Sequence, residues 1–212
     1  MANLVSKITA TDGTTYSIKD KVSTFGGTNL LQDSELYCYT AAQNNNLDKT
    51  AYKSSGSLTY SRGTNQNEGF YIDNYLKLKP NSQYITSFEA ACTSGTITQF
   101  YVYRGVHHEF IELYMDGLLL ATAGDTDVTA NITMGSNTYH NFIIKFKTQS
   151  TVTKNGSYLG HILQWNKQVS TAFTVAMRGL KCELGNKPTG WTPAPQDLVT
   201  YNSTNEAIEF PW

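Results

Sequence analysis

Charge is scarce in this chain. Only 16% of its 212 residues are charged, and 16 basic against 17 acidic residues leave a formal net charge of −1. A surface that grips nucleic acid or an anionic membrane by charge is therefore not expected. Cysteine is scarcer still: Cys38, Cys92 and Cys182 are odd in number, widely spaced and without a Cys-x-x-Cys pair. That spacing argues against zinc and dithiol chemistry. It leaves the three as small buried apolar residues, in keeping with assembly in a reducing compartment. No run of about 18 apolar residues exists, so no membrane-spanning helix is expected. The stretch Met1 to Lys21 lacks the apolar centre of a signal peptide. Without such a signal, the sequons at Asn131, Asn155 and Asn202 read as chance features of a Thr-rich chain. Also missing are Gly-x-Ser-x-Gly, a phosphate loop and Gly-x-Gly-x-x-Gly, and the chain is read as no enzyme.

What the chain has in quantity is tyrosine, 14 of them, with much Thr, Ser and Asn. Tyr and Thr suit a pleated, half-buried surface. Period-2 alternation recurs along the chain, and no segment sustains a 3.6-residue period. Strands are expected at Leu36–Thr40, Ser57–Ser61, Phe70–Ile72, Tyr75–Leu78, Tyr84–Ala91 and Ile97–Tyr103. More follow at Phe110–Met115, Leu118–Ala121, His140–Lys147, Tyr158–Trp165 and Ala172–Leu184, with Asp116-Gly117 as the clearest hairpin turn. Arg62 to Gly69 reads as a polar loop. Short strands at this spacing predict an all-β antiparallel sandwich. Its expected core holds Phe88, Phe100, Val102, Phe142, Ile144, Phe146, Leu163, Leu180 and Leu184. Residues 1–27 form a short N-terminal extension, with a small hairpin across Asp12-Gly13, for attachment or oligomerisation. Residues 28–198 form the sandwich, and 199–212 a tail ending in the apolar plug Phe210-Pro211-Trp212.

The stretch from Lys181 to Asp197, KCELGNKPTGWTPAPQD, resembles the closing motif of jelly-roll carbohydrate-binding-type modules in tail, fibre and virion proteins of phages of Gram-positive hosts. That motif runs roughly Lys-Leu-Glu-x-Gly-x-Lys-x-Thr-x-Trp-Thr-Pro-Ala-Pro-Glu-Asp. Thr28-Asn29-Leu30-Leu31 resembles the family's opening strand. Leu78 to Ala91 resembles its central segment, and Asp12 to Asp20 resembles amino-terminal segments of phage structural proteins. The resemblance covers about residues 5–198. Cys182 replaces the usual Leu, and Gly105 to Gly135 matches nothing in the pattern.

The resemblance implies a jelly roll that stacks aromatic rings on sugar faces and bonds the hydroxyls with flanking polar groups. Gln99, Tyr101 and Tyr103 share one side of a strand whose other side, Phe100 and Val102, belongs to the core. Arg104 and His107 follow, and with them form a candidate glycan-binding cluster. Trp165 is a further candidate, either in the core with His161 and Leu163 or in contact with ligand at the sheet edge. Trp191 reads as structural, packing the tail. No cofactor is required. The resemblance does allow a structural calcium between the opening and closing strands, with Asp33 and Glu183 as its candidate ligands. His107-His108-x-x-x-Glu112 lies in strand or loop and lacks the helical geometry of a zinc motif.

The expected function is a non-catalytic virion surface protein that binds cell-wall polysaccharide or another glycan. Its expected partners are that glycan, other virion proteins and copies of itself, a trimer being preferred. Nucleic acid and membrane are not among them. The expected location is the virion, assembled in the host cytoplasm. The alternative is a structural decoration or fibre protein that binds other virion subunits and no sugar.

Overall fold

The computed structural model describes residues 7–9, 15–17, 27–38, 47–64, 69–73, 77–155, 161–167, 171–198, 200–202 and 207–209. Its strands begin with β1 (Lys7–Thr9), β2 (Thr15–Ser17), β3 (Leu36–Cys38), β4 (Leu47–Asp48), β5 (Leu58–Arg62) and β6 (Phe70–Ile72). The long central strands are β7 (Gln83–Ser94), β8 (Ile97–Tyr103), β9 (His108–Met115), β10 (Leu118–Ala123), β11 (Val128–Met134) and β12 (His140–Thr148). Then come β13 (His161–Trp165), β14 (Phe173–Leu184), β15 (Thr200–Asn202) and β16 (Ala207–Glu209). Among the described residues the one α-helix, α1, is the single turn Tyr52–Ser55.

These strands build an antiparallel β-sandwich of jelly-roll type. A seven-stranded sheet runs β10-β9-β12-β7-β14-β5-β4, and a five-stranded sheet runs β11-β8-β13-β6-β3. β1 and β2 pair as a two-stranded sheet of their own, and so do β15 and β16. The Asp12-Gly13 turn and the Phe210-Pro211-Trp212 plug lie outside the described residues.

The core forms where the inner sides of the two sheets meet. Phe88 stacks on Phe142 at 5.2 Å between ring centroids, and Phe100 meets Phe142 edge-on at 5.1 Å. Val102, Ile144, Phe146, Leu163 and Leu180 are buried with them. Each such side chain contributes about 1.5–3 kcal/mol by leaving water.

Leu184, expected in this core, is 54% exposed. It keeps the inward parity of Leu180 and Cys182, but β14 ends there at the rim of the sandwich. Earlier in β14 the inward residues are the odd ones, Phe173, Val175 and Met177. A bulge between Arg178 and Lys181, with Gly179 at φ 64°, switches the parity. The bulge sends Lys181 and Glu183 to the outer side of the sheet. The closing segment folds back over them, and Trp191 lies against the bulge, its Nε1 donating to the Leu180 carbonyl at 3.2 Å. A Cβ on Gly56 would sit 2.2 Å from Trp191 Nε1, so that close approach requires glycine. Trp191 is structural, as the sequence suggested.

Three further expectations change. Thr28 to Leu31 is no strand: Asn29 Oδ1 accepts from the Leu31 and Cys182 amides, while Leu30 N–H donates to the Cys182 carbonyl. A side chain thus takes part of the ladder's role. Leu78 ends no strand, and residues 74–76 lie outside the described set. Arg62 does not open a polar loop. It ends β5 and is buried, donating to the carbonyls of Trp165, Asn166 and Thr171. Strands β4 and β11 were not anticipated. β11 fills part of the unmatched stretch 105–135 with a clean alternation, Val128, Ala130, Ile132 and Met134 inward.

Candidate functional site

The outer side of the five-stranded sheet gathers the polar aromatic residues. Register aligns Tyr37 with Tyr71, Tyr71 with Ile162, and Ile162 with Tyr103. A second row runs Gln164, Tyr101, Thr129, and a third pairs Gln99 with Asn131. Tyr37 and Tyr103 are separated by three interstrand steps, about 14 Å. Tyr37 and Tyr71 lie 4.9 Å apart between centroids, tilted by 35°. Tyr37 Oη donates to Asp73 Oδ2 at 2.9 Å. Burial, and then the neighbouring Asp73, push the Tyr37 hydroxyl pKa up, so it stays a donor. Burial also raises the Asp73 carboxyl.

The other end of the row is built on Asp125 and Asp127. Tyr101 Oη donates to Asp127 Oδ2, and the Arg104 backbone amide donates to Asp127 Oδ1 at 2.9 Å. Arg104 Nη1 lies 2.9 Å from Asp125 Oδ1, and His107 Nδ1 lies 2.8 Å from Asp125 Oδ2. Burial works to raise Asp125, yet the bonds from His107, the His108 amide and Arg104 hold it at about 2. Arg104 and His107 are thus joined through one carboxylate. The end of β13 is fixed to the start of β8 by Asn166, at φ 51°, whose Oδ1 accepts from the Thr98 and Gln99 amides.

The expected glycan cluster is therefore partly assembled. Gln99, Tyr101 and Tyr103 lie on the outer side, as alternation required, and Arg104 and His107 adjoin them. Two placements need correction. Tyr101 is only 5% exposed: Lys167 Nζ sits 3.7 Å above its ring centre, and its hydroxyl is committed to Asp127. It offers no open stacking face. Trp165 is fully buried in the core, 5.2 Å from Phe100 and 5.9 Å from Phe70. It pairs with Phe100 across the sheet and so shares Phe100's inward side. Sequence reasoning missed Tyr37 and Tyr71. Their signal is short: a tyrosine between two apolar residues in Leu36-Tyr37-Cys38, and an apolar triplet in Phe70-Tyr71-Ile72.

The two candidate calcium ligands are each engaged by different lysines. Asp33 Oδ1 lies 3.5 Å from Lys49 Nζ and its Oδ2 3.9 Å from Lys53 Nζ. Glu183 Oε2 lies 3.3 Å from Lys181 Nζ, with both side chains buried. Among the described residues no group of three or more His, Cys, Asp or Glu side chains could hold a metal ion. A donor set in which each carboxylate already faces an ammonium does not fit a calcium shared by Asp33 and Glu183.

No protein-family model matches the chain, and no curated protein matches it in sequence. Similarity appears among solved structures. One is the N-terminal part of Clostridium thermocellum endo-1,4-β-D-xylanase 10B, its CBM22-1 and GH10 modules complexed with xylohexaose. It is 8% identical with a TM-score of 0.46, over 76% of this chain and 28% of that one. The tripod of the bacteriophage Tuc2009 baseplate is 14% identical with a TM-score of 0.43, over 98% of this chain and 71% of that one. The N-terminal cellulose-binding domain of Cellulomonas fimi β-1,4-glucanase C is 12% identical with a TM-score of 0.43, over 77% of this chain and 98% of that one.

Proposed function

We propose that this chain is a non-catalytic virion surface protein that binds a glycan across the outer side of its five-stranded sheet. The observation that carries the reading is the row Tyr37, Tyr71, Ile162 and Tyr103. It is an aromatic and apolar strip bordered by Asp73 and Asp127, whose middle residues Tyr71 and Ile162 are buried and support the partly exposed rings at its two ends. Half-exposed Tyr37 and Tyr103 supply ring surface. Carboxylates, Gln99, Thr129 and Asn131 supply acceptors and donors for hydroxyls. The virion setting rests on the closing motif at Lys181 to Asp197 and the lead-in at Asp12 to Asp20. The test is a screen of the purified chain against cell-wall polysaccharides and a glycan array. Binding that vanishes in Tyr37→Ala/Tyr103→Ala supports the reading, and binding unaffected by that pair places the site elsewhere.

A second reading, an assembly protein that binds virion subunits, is favoured by strand β10. It is the edge of the seven-stranded sheet, carries no charge from Leu118 to Ala123, and exposes Leu118 by 67% and Leu119 by 47%. Uncharged apolar edges are ordinarily covered by a partner. Sedimentation of the wild type beside Leu118→Lys/Leu119→Lys tests it: an oligomer, a trimer being preferred, that falls to monomer supports assembly through this edge.

A further inference from the structure

The closing segment surrounds one positive charge with oxygen. Lys181 Nζ donates to Thr189 Oγ1 at 2.7 Å and to the Gly190 carbonyl at 2.8 Å, and lies 3.3 Å from Glu183 Oε2. The Lys181 and Glu183 side chains are 0% and 1% exposed. The cage is itself braced. Thr189 N–H donates to Glu183 Oε1 at 2.7 Å, Thr189 Oγ1 donates to Glu183 Oε2 at 2.6 Å, and Gly27 N–H donates to Thr189 Oγ1 at 3.0 Å. A Cβ on Gly27 would fall 2.1 Å from Glu183 Oε2, so the opening segment presses directly on this carboxylate. A carboxylate, a hydroxyl and a carbonyl converging on one point are the hard oxygen donors that bind calcium. A buried carboxylate without a cation would be costly.

We infer that the Lys181 ammonium is a tethered cation filling an oxygen site that would otherwise take a divalent metal, so that this sandwich closes without one. The spacing of the closing motif follows from this. Lys181 and Glu183 share the outer side of β14 because the bulge sets their parity, and the turn through Gly185 brings Thr189 and Gly190 back over them. The same geometry gives the ion pair its place: it ties the opening segment at Gly27 to the closing segment at Thr189, with the charge supplied by the chain itself.

The experiment is calorimetric melting of the full chain after stripping with a chelator, with and without millimolar calcium. The wild type is expected to melt at the same temperature in both. A drop on chelation or a rise with calcium would overturn the inference. Lys181→Met keeps most of the side-chain volume and vacates only the ammonium. It is expected to melt about 10 °C lower and to regain several degrees with calcium. A folded Lys181→Met that ignores calcium would also overturn the inference. Should Lys181→Met fail to fold, the folded fraction of Lys181→Ala is followed by circular dichroism in the presence and absence of methylammonium chloride, which can occupy the vacated site. Stabilisation of this variant and not of the wild type supports the inference, and its absence overturns it. Lys181→Met/Glu183→Gln, which removes the anion with the cation, should melt above Lys181→Met and show no calcium response.

Discussion

Strand β8 carries aromatic residues on both sides, and the two sides use them differently. On the inner side Phe100 meets other rings: Phe88, Phe142 and Trp165 lie within 6.1 Å between centroids. On the outer side Tyr101 and Tyr103 lie 6.4 Å apart, and the Tyr101 hydroxyl is bonded to a carboxylate. Both sides remove ring surface from water, but around Phe100 the neighbours are rings, whereas Tyr101 keeps a carboxylate and an ammonium beside its ring. The inner side is a stability device, and the outer side is the one proposed for recognition. Each assignment can be broken separately.

The largest expected effect comes from acid on the inner side. His108 and His161 lie inside the sandwich with rings 5.9 Å apart, and His161 packs on Phe146 at 4.8 Å. Burial holds His108 down to about 4, with Asp125, Arg104 and His107 around it. Burial, then His108, holds His161 down to about 3. An unfolded histidine takes its proton near pH 6.5. Between that value and the folded values the unfolded chain binds more protons, so stability falls as pH falls. Each ring adds a slope of up to about 1.4 kcal/mol per pH unit. Glu35 and Asp73, whose carboxyls burial raises, oppose this, while Asp125 acts only below its unfolded range, toward pH 2. Denaturant titrations from pH 7 to pH 4 should show the loss, and His108→Leu/His161→Leu should flatten it. A wild-type stability that does not change over that range would mean the two rings are not sealed.

Next is Trp165→Ala, expected to cost about 3–5 kcal/mol in a denaturant titration. A cost below about 1 kcal/mol would show that Trp165 is open to solvent and return it to the list of ligand contacts.

The sequence made the inner side legible because alternation needs only local information. Phe100 and Val102 inward with Gln99, Tyr101 and Tyr103 outward is a pattern within one strand. Other features depended on distant parts of the chain. β11 alternates as clearly as β8, yet small Ala130 weakens its apolar signal. The parity switch in β14 is visible in sequence only as Gly179, and without it Lys181 and Glu183 cannot be assigned to a side. Tyr37 and Tyr71 sit in strands of three residues, too short for a period, and they meet only because β3 and β6 are neighbours. That Tyr101 is closed follows from Lys167 and Asp127, which approach it from other segments.

Tyr101→Phe probes the closed ring of the outer side. It keeps the ring under Lys167 and removes the hydroxyl that donates to Asp127. Hydrogen bonds to charged groups contribute about 1.5–3 kcal/mol, but Asp127 keeps the Arg104 amide, so about 1–2 kcal/mol is expected. A melting curve checks it. No change would mean that the hydroxyl is solvated, and that Tyr101 is a stacking surface after all.

The smallest expected effect on the fold belongs to Tyr37→Ala, and it bears most directly on function. Tyr37 is half-buried at the edge strand β3, touching Tyr71 and donating to Asp73. Its loss removes a partly exposed ring and one hydrogen bond, so stability should change by about 1 kcal/mol. Binding should change more in proportion. The ring would cover the apolar face of a sugar, and an aromatic contact is a large share of a weak saccharide affinity. A drop of about 5- to 20-fold in affinity is expected, equivalent to about 1–2 kcal/mol. Titration calorimetry with a polysaccharide that binds the wild type, run beside a melting curve, separates the two quantities. A large fall in melting temperature with unchanged affinity would make Tyr37 a packing residue like Phe100, and the contrast between the two sides of the sheet would collapse. Weaker binding with an intact fold would mark the outer tyrosines as the part of the sheet that recognises something beyond the chain.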